Sequence, residues 1–303
     1  MLSNKEVICP KNLLDLSRKK KSVTAGIVNA GKPLPMLSAM EAVNEDLIVP
    51  IFIGDKEEIK KCASNLKWDI SQYQLIHEPI ENNNAQIAAK LASENKIKII
   101  VKGHIHTDVL MKEVLKREYN LLSKTRLSHI WHMTIDKNDS PLIITDGALN
   151  VLPNIKTKMH ILKNVVNFSH RIGIKRPKIS ILSATEEILD SVQSSIEAKE
   201  LTDLAKKENL NADIFGPLAF DNSVSKKSAA IKGIKNAVAG QADVILVPNV
   251  ETGNALVKIM IYFMGACAAG VVVGGKVPVV ITSRSDHAPA RLASIAAAVV
   301  ALN

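Results

Sequence analysis

The sequence predicts an α/β protein with a mostly parallel sheet. Short runs of aliphatic, often β-branched residues alternate with longer amphipathic stretches along most of the chain. Of the 303 residues, 47% are hydrophobic but only 3% are aromatic. The core must therefore rest on Ile, Leu, Val and Ala, the usual composition of parallel strands covered by helices. Repeated strand–helix–strand units imply right-handed crossovers between parallel strands.

The first half of the chain supplies a series of such units. Strands are predicted at 23–29, 47–53, 97–101, 128–135 and 141–145, and helices at 35–44 and 107–118. Asp55 is predicted to cap a further helix, because its carboxylate can accept hydrogen bonds from the N–H groups of a first turn. The polar, turn-rich segment 136–141 predicts a hairpin tip or a crossing between two lobes.

The second half continues the pattern. Strands are predicted at 178–182, 213–215, 244–247, 270–273 and 277–281, and helices at 156–172, 186–207, 223–239, from about 251, and at 286–302. In doubly wound sheets, ligands bind beyond the carboxyl ends of the strands. Candidate residues are therefore sought in the loops at 102–108, 146–150, 183–186, 216–225, 248–254 and 282–286.

Composition excludes several classes of function. The net charge is +9, which favours anionic partners. The lysines are scattered, however, and aromatic platforms are scarce, so nucleic-acid binding is not expected. The longest apolar stretch, 266–273, is too short to span a membrane. Cys9, Cys62 and Cys267 are too widely spaced for a disulfide framework or a paired metal motif, and no signal peptide is evident. These features predict a cytoplasmic protein with free thiols.

The segment 282–286 is the most informative candidate site. It follows an apolar strand and opens a predicted helix, whose N-terminus favours an anion. Ser283 supplies a hydroxyl, Arg284 can grip a phosphate with two parallel hydrogen bonds, and Asp286 supplies a carboxylate. A helix cap beside a surface arginine explains the same residues, and both interpretations stay open on chemistry alone.

Two other loops carry polar candidates. Asn254 follows a strand and a glycine, and offers both a donor and an acceptor. His104, His106 and Asp108 have the residue types of a zinc or iron site, so a metal-dependent hydrolase is an alternative hypothesis. The match is short, and capping by Asp108 would explain part of it.

Taken together, these loops resemble the phosphate acetyl/butyryltransferase family, over roughly residues 95–303. Seven pieces stand in the family's order: Lys102-Gly103 with Thr107-Asp108, 126–129 (RLSH), 144–150 (ITDGALN), 182–186 (LSATE), 216–221 (GPLAFD), 242–254, and 283–286 (SRSD). The second and third pieces are similar to the butyryl branch, and also to the acyltransferase half of hydratase fusions.

The resemblance implies a fold and an assembly. The fold would be two-lobed, three-layer α/β/α with a mostly parallel sheet, like isocitrate and isopropylmalate dehydrogenases. Residues 1–138 and 279–303 would form the first lobe and 139–278 the second, with the active-site cleft between them. The family is commonly homodimeric.

The resemblance also implies an activity: reversible transfer of an acetyl or butyryl group between coenzyme A and inorganic phosphate in a ternary complex. Acyl-CoA, phosphate and acyl phosphate would be the substrates, with no metal and no further cofactor. The catalytic residues would be Ser283, Arg284 and Asp286. Substrate would be bound by Arg126, Ser128, Asn254 and Lys102.

The sequence departs from the family pattern in two places. Where many acetyltransferases carry a catalytic aspartate in the last helix, this chain has Ala290 and Arg291, which leaves Asp286 as the carboxylate of the segment. Met111 and Lys112 stand where an arginine is often found. A non-catalytic protein that binds acyl-CoA or phosphate is therefore a further alternative.

Overall fold

The computed structural model describes residues 2–136, 140–282 and 286–302. The chain divides into two compact units. The terminal unit contains the described residues of 6–124, 136 and 267–302, and the central unit contains those of 2–5, 125–135 and 140–266.

The strands, in chain order, are short and largely buried. They are β1 (Val23–Val28), β2 (Ile48–Gly54), β3 (Gln74–His77), β4 (Ile99–Lys102), β5 (Ser128–Thr134), β6 (Leu142–Thr145), β7 (Lys178–Leu182), β8 (Asp213–Leu218), β9 (Val244–Leu246), β10 (Cys267–Val273) and β11 (Val279–Val280).

Helices separate most of these strands. They are α1 (Lys11–Arg18), α2 (Pro33–Asn44), α3 (Lys56–Asn65), α4 (Glu81–Ser93), α5 (Thr107–Val114), α6 (Ile155–Arg171), α7 (Gln193–Lys207), α8 (Phe220–Val224), α9 (Lys226–Ile231), α10 (Val250–Met264) and α11 (Ala288–Ala301), with a 3₁₀ turn at Arg117–Tyr119. No helix among the described residues combines the length and apolar character needed to cross a bilayer.

The predicted mostly parallel sheet is confirmed in both units. In the terminal unit the strand order is β3-β2-β1-β4-β11-β10; β10 pairs antiparallel with β11, and the β1–β2, β1–β4, β2–β3 and β4–β11 pairs are parallel. In the central unit the order is β5-β6-β9-β7-β8, where β5 pairs antiparallel with β6 and the other pairs are parallel. The predicted lobe boundaries differ from this division, since they place β5 with the first lobe and β10 with the second.

The core is aliphatic, as the composition predicts. Helix α11 is buried from Ala290 to Val300. It packs on β10, where the Ser294 hydroxyl donates to the carbonyl of Ala290 and accepts from the N–H of Gly270. Burial on all sides explains why this helix is so rich in alanine and valine.

Some predicted helices are shorter in the structure; the one predicted at 107–118 ends at Val114. The helix predicted at 186–207 begins only at Gln193, because the Ser195 hydroxyl accepts from the N–H of Leu189 and donates to the carbonyl of Val192, which stabilises a turn before the helix. The helix predicted at 223–239 is broken into α8 and α9. Ser225 starts α9 by capping the N–H of Ser228, and Gly233 ends the region at a φ of 66°.

Other local predictions are confirmed or missed for identifiable reasons. The Asp55 carboxylate accepts from the N–H groups of Glu57 and Glu58 at 2.9 Å, so the predicted cap is confirmed. Helices α1 and α4 and strand β3 were not predicted. β3 is an edge strand whose residues are only partly covered, and it therefore lacks the apolar run of a central strand.

Candidate active site

Thr282 and Asp286 bound the segment predicted to be catalytic. Ser283 and Arg284, the two residues with the most specific predicted roles, lie outside the described residues. The segment follows β11, which pairs in parallel with β4 in the register Val280 to Val101. Because parallel neighbours end at the same edge of a sheet, the residues after β4 and β11 lie side by side.

Lys102 ends β4 and points its charge at this edge. The side chain is almost completely buried, with the residue 4% exposed. Its Nζ lies 3.4 Å from the carbonyl oxygen of Thr282. A buried ammonium attracts an anion more strongly than one in water, since the local dielectric constant is lower. The structure thus places Lys102 beside Thr282, while its predicted contact with substrate stays a prediction.

The Thr282 side chain adds an unsatisfied polar group. Its hydroxyl is buried and has no hydrogen-bond partner among the described residues. Buried polar atoms nearly always have a partner, so such a hydroxyl is a reason to look for a bound group.

Asp286 lies beside Arg291, near the start of α11. The two residues are 8% and 5% exposed. Arg291 Nε donates to the backbone carbonyl of Asp286 at 3.2 Å. Burial lowers the pKa of Arg291 from its usual value, and the negative charge of Asp286 acts in the opposite direction. Sequence reasoning noted Arg291 only as a departure from a pattern, whereas the structure places it as the charge partner of Asp286.

The central unit holds a second cluster, organised by Asn164. The Nδ2 group of Asn164 donates to the carbonyl of Arg126 and to the hydroxyl of Ser128, both at 2.8 Å. Arg126 is an exposed residue, and its guanidinium donates through Nη1 to Thr157 Oγ1 at 3.0 Å. The Arg126 side chain can therefore bind an anion from solution, while the hydrogen bond from Asn164 holds its backbone in place.

Ser128 is completely buried, at 0% exposed. Its hydroxyl accepts from Asn164, which gives it a supporting position under the Arg126 segment. Its predicted contact with substrate stays a prediction. Asn164 and Thr157 were not singled out from the sequence, since they lie inside an amphipathic helical pattern that carries no local signal of function.

Asp146 stabilises the loop after β6. Its carboxylate accepts from the N–H groups of His129, Ala148 and Leu149 and from the Asn150 amide, at 2.7–3.1 Å. A carboxylate saturated by so many donors is a structural element rather than an exposed ligand. The 144–150 segment, whose sequence resembles the family's, therefore determines the conformation of this loop.

Asn254 lies exposed in the first part of α10, whose N-terminus is capped by Asn249 accepting from the N–H of Thr252 at 3.0 Å. The preceding residue, Gly253, meets Gly147: a Cβ added at Gly253 would lie 2.6 Å from the Cα of Gly147. Only glycine permits this approach. The contact fixes Asn254 next to the loop held by Asp146.

The metal hypothesis gains no support from the described residues. His106 is the residue before α5, and its N–H donates to Glu81 at 2.8 Å. Asp108 lies in the first turn of that helix. No group of three or more His, Cys, Asp or Glu side chains within 2–136, 140–282 and 286–302 is arranged to hold a metal ion.

Comparison with known proteins identifies the family. The family model described as phosphate acetyl/butaryl transferase matches residues 72–299. A phosphate acetyltransferase of Rhizobium meliloti is 36% identical over 261 residues, which cover 86% of this chain and 83% of that protein. A phosphate butyryltransferase of Clostridium acetobutylicum is 33% identical over 295 residues, covering 96% of this chain and 98% of the relative.

A solved structure agrees. The branched-chain phosphotransacylase from Enterococcus faecalis V583 superposes with a TM-score of 0.79 at 31% identity, covering 92% of this chain and 98% of that one. The fold and the matches define an acyltransferase of the phosphotransacylase class. The chain belongs to the phosphate acetyl/butyryltransferase family.

Proposed function

We propose that this protein transfers a short acyl group reversibly between coenzyme A and inorganic phosphate. The observation that carries the proposal is the arrangement at the edge formed by β4 and β11. There, two buried cations donate hydrogen bonds to backbone carbonyls at the two ends of the 282–286 segment. The Lys102 ammonium donates to Thr282, and the Arg291 guanidinium donates to Asp286. Family membership supplies the reaction, and these contacts support an anionic substrate beside that segment.

The reaction makes three demands on the protein. The coenzyme A thiol must lose its proton, the oxyanion of the tetrahedral intermediate must be stabilised, and phosphate must be held. The thiolate attacks the carbonyl carbon of the acyl phosphate, the carbon–sulfur bond forms, and the carbon–oxygen bond to phosphate breaks with its electron pair leaving on phosphate. A free thiol has a pKa of about 8.5, so a base assists the first step.

Residues of the terminal unit are assigned to this chemistry. By resemblance, Ser283 contacts the reacting group and Arg284 binds phosphate. Asp286 is the proposed base for the thiol. Lys102 adds positive charge at the same sheet edge, and the buried Thr282 hydroxyl is available to a substrate oxygen.

Residues of the central unit are assigned to coenzyme A. Its phosphates are dianionic or monoanionic groups that a guanidinium binds well. Arg126 is exposed and is held by its bond to Thr157 and by Asn164 beneath it. Asn254 is the second proposed contact, with Ser128 supporting Arg126.

The homodimer and the cytoplasmic location remain part of the proposal. Support for a dimer comes from α10, which exposes Ile259, Tyr262, Phe263 and Met264, because contiguous apolar side chains on a surface often mark an interface. Light scattering of the purified chain tests it. Three free cysteines support a reducing compartment.

A thiol-release assay tests the function. Acetyl-, propionyl- and butyryl-CoA are each incubated with and without phosphate, and with and without EDTA. Phosphate-dependent release that EDTA leaves unchanged is expected; release that needs a metal would favour the hydrolase, and binding without turnover the non-catalytic protein. The Arg284→Ala variant should raise the KM for phosphate and lower kcat/KM by about 100-fold or more.

The matched control for that variant is Arg176→Ala. Arg176 is an exposed arginine paired with Asp213 at 2.7 Å in the central unit, far in sequence from every proposed ligand. It should retain full activity. If Arg284→Ala behaved like Arg176→Ala, the placement of the phosphate seat would be wrong.

A further inference from the structure

A cavity of about 320 Å³ opens in the terminal unit. Its wall is the run Lys32-Pro33-Leu34-Pro35 at the start of α2. Gly103 and His104, which follow β4, and Arg291 of α11 complete the lining. The cavity therefore lies at the carboxyl ends of β1 and β4, where α/β proteins bind ligands.

The wall formed by α2 is apolar because two of the first residues of the helix are prolines, which have no backbone N–H group. A helix N-terminus usually presents four unbonded N–H groups and attracts anions. Here the residue before the helix, Lys32, already donates its N–H to the carbonyl of Ala30 at 2.6 Å. Pro33 and Pro35 have no N–H at all. Of the four N–H groups at the start of α2, only that of Leu34 remains. This end of the helix therefore presents an apolar surface to the cavity and is poorly suited to binding phosphate.

The charges near the cavity are engaged elsewhere. Lys32 Nζ lies 3.0 Å from a carboxylate oxygen of Glu58 on α3. Arg291 directs Nε to the backbone carbonyl of Asp286. The Leu34 side chain, by contrast, is 38% exposed although it is large and apolar, and it borders the cavity without being covered.

The wall formed by Gly103 and His104 is held to the end of β1 by hydrogen bonds. The N–H groups of Gly103 and His104 donate to the carbonyls of Val28 and Asn29 at 2.9 and 3.0 Å, and the Asn29 amide donates back to the His104 carbonyl at 2.6 Å. A Cβ at position 103 would lie 2.3 Å from the Val28 oxygen, so glycine is required there.

The cavity adjoins the proposed reaction site through bonded neighbours. Arg291, in its lining, bonds to Asp286 at one end of the catalytic segment. Lys102, the residue before Gly103, bonds to Thr282 at the other end. A cavity with a mostly apolar lining, next to the proposed site for a thioester and phosphate, has the chemistry to receive a hydrocarbon chain.

We propose that this cavity binds the acyl chain of the substrate and that Leu34 sets the preferred chain length. The inference rests on the proposed acyl transfer. It assigns the substrate class as straight or branched short-chain acyl groups longer than acetyl. Each methylene buried in the cavity should favour the reaction about fourfold, so butyryl-CoA should exceed acetyl-CoA about 15-fold in kcat/KM.

The test is a chain-length series at saturating phosphate, with acetyl-, butyryl-, isobutyryl- and hexanoyl-CoA. Leu34→Trp fills the cavity and should lower the butyryl-to-acetyl ratio of kcat/KM about tenfold. Leu34→Ala enlarges it and should raise the hexanoyl-to-butyryl ratio about fivefold. The control is Leu115→Trp, which alters a leucine of the same unit that is 46% exposed and lies outside the cavity, and it should leave both ratios unchanged.

Opposite shifts in the two Leu34 variants would support the proposal and cannot arise from misfolding, which lowers all substrates together. Equal losses for every chain length, with a raised KM for coenzyme A in the reverse reaction, would overturn it and indicate a pantetheine site. Wild-type protein that forms no acyl phosphate from any chain would overturn the proposed function itself. Activity with unchanged ratios would overturn only the role of Leu34.

Discussion

The candidate site cations of the two units differ in their exposure to solvent. In the terminal unit, Lys102 and Arg291 are buried and bonded to backbone carbonyls. In the central unit, Arg126 is exposed, and the buried groups are the neutral Asn164 and Ser128 that hold its backbone and neighbouring strand.

The difference indicates that the two units have different roles in the proposed reaction. Buried cations cost solvation energy and are kept where charge develops during a reaction, because the low dielectric constant strengthens their effect. An exposed guanidinium suits capture of a large, soluble polyanion, whose binding is weakened by salt. The terminal unit is therefore the expected site of chemistry, and the central unit the expected site of coenzyme binding.

Asp286→Asn should give the largest effect. As the base for the thiol, Asp286 should contribute about 1,000-fold to kcat/KM for coenzyme A. Loss of its charge also leaves Arg291 without compensation, so the Tm should fall.

A double variant separates these two effects. Asp286→Asn with Arg291→Met removes both charges and should recover the Tm but not the activity. Recovery of activity as well would show that Asp286 acts only through Arg291. Asp69→Asn, an exposed carboxylate, is the control for the single change.

Lys102→Met should lower kcat/KM for phosphate about 50-fold, because a buried positive charge beside Thr282 is replaced by a side chain of similar length. The Tm should stay the same or rise, since burial of an ammonium is costly. Lys98→Met, which alters a partly exposed lysine just before the same strand, should change neither quantity. A KM unaffected by Lys102→Met would remove this residue from the phosphate site.

Gly253→Ala should destabilise the central unit by about 2 kcal/mol, because its Cβ would clash with the backbone of Gly147. Urea unfolding measures the change. The neighbouring Asn254→Ala is the control, since it adds no clash and alanine favours a helix. Asn254→Ala should instead raise the KM for coenzyme A. A stable Gly253→Ala variant would contradict the close contact of α10 with the 146–150 loop.

Arg126→Gln should have the smallest effect, about a tenfold rise in the KM for coenzyme A with kcat little changed. The wild-type KM should rise with ionic strength and the variant's should respond less. If kcat fell and the KM did not, Arg126 would belong to the chemistry, and the contrast between the units would fail.

Much of the fold followed from the sequence because the strands are buried and strongly apolar, as in β4 and β7. The breaks at Ser195 and Ser225 could not be predicted, since each depends on a single hydroxyl competing with a helical pattern. Lys102 and Asp286 could be named as candidates because they lie in family-like segments at the ends of predicted elements, and their roles stay predictions. Arg291 and Asn164 were not assigned roles, because their partners are distant in sequence or are backbone atoms. The predicted cleft between the lobes stays a prediction.

The most direct measurement is the ratio of acyl phosphate formed to thiol released, followed with butyryl-CoA and isotopically labelled phosphate. Acyl transfer predicts one labelled acyl phosphate for each thiol, and no thiol release when phosphate is omitted. Thiol release that continues without phosphate and yields no acyl phosphate would show hydrolysis and contradict the account.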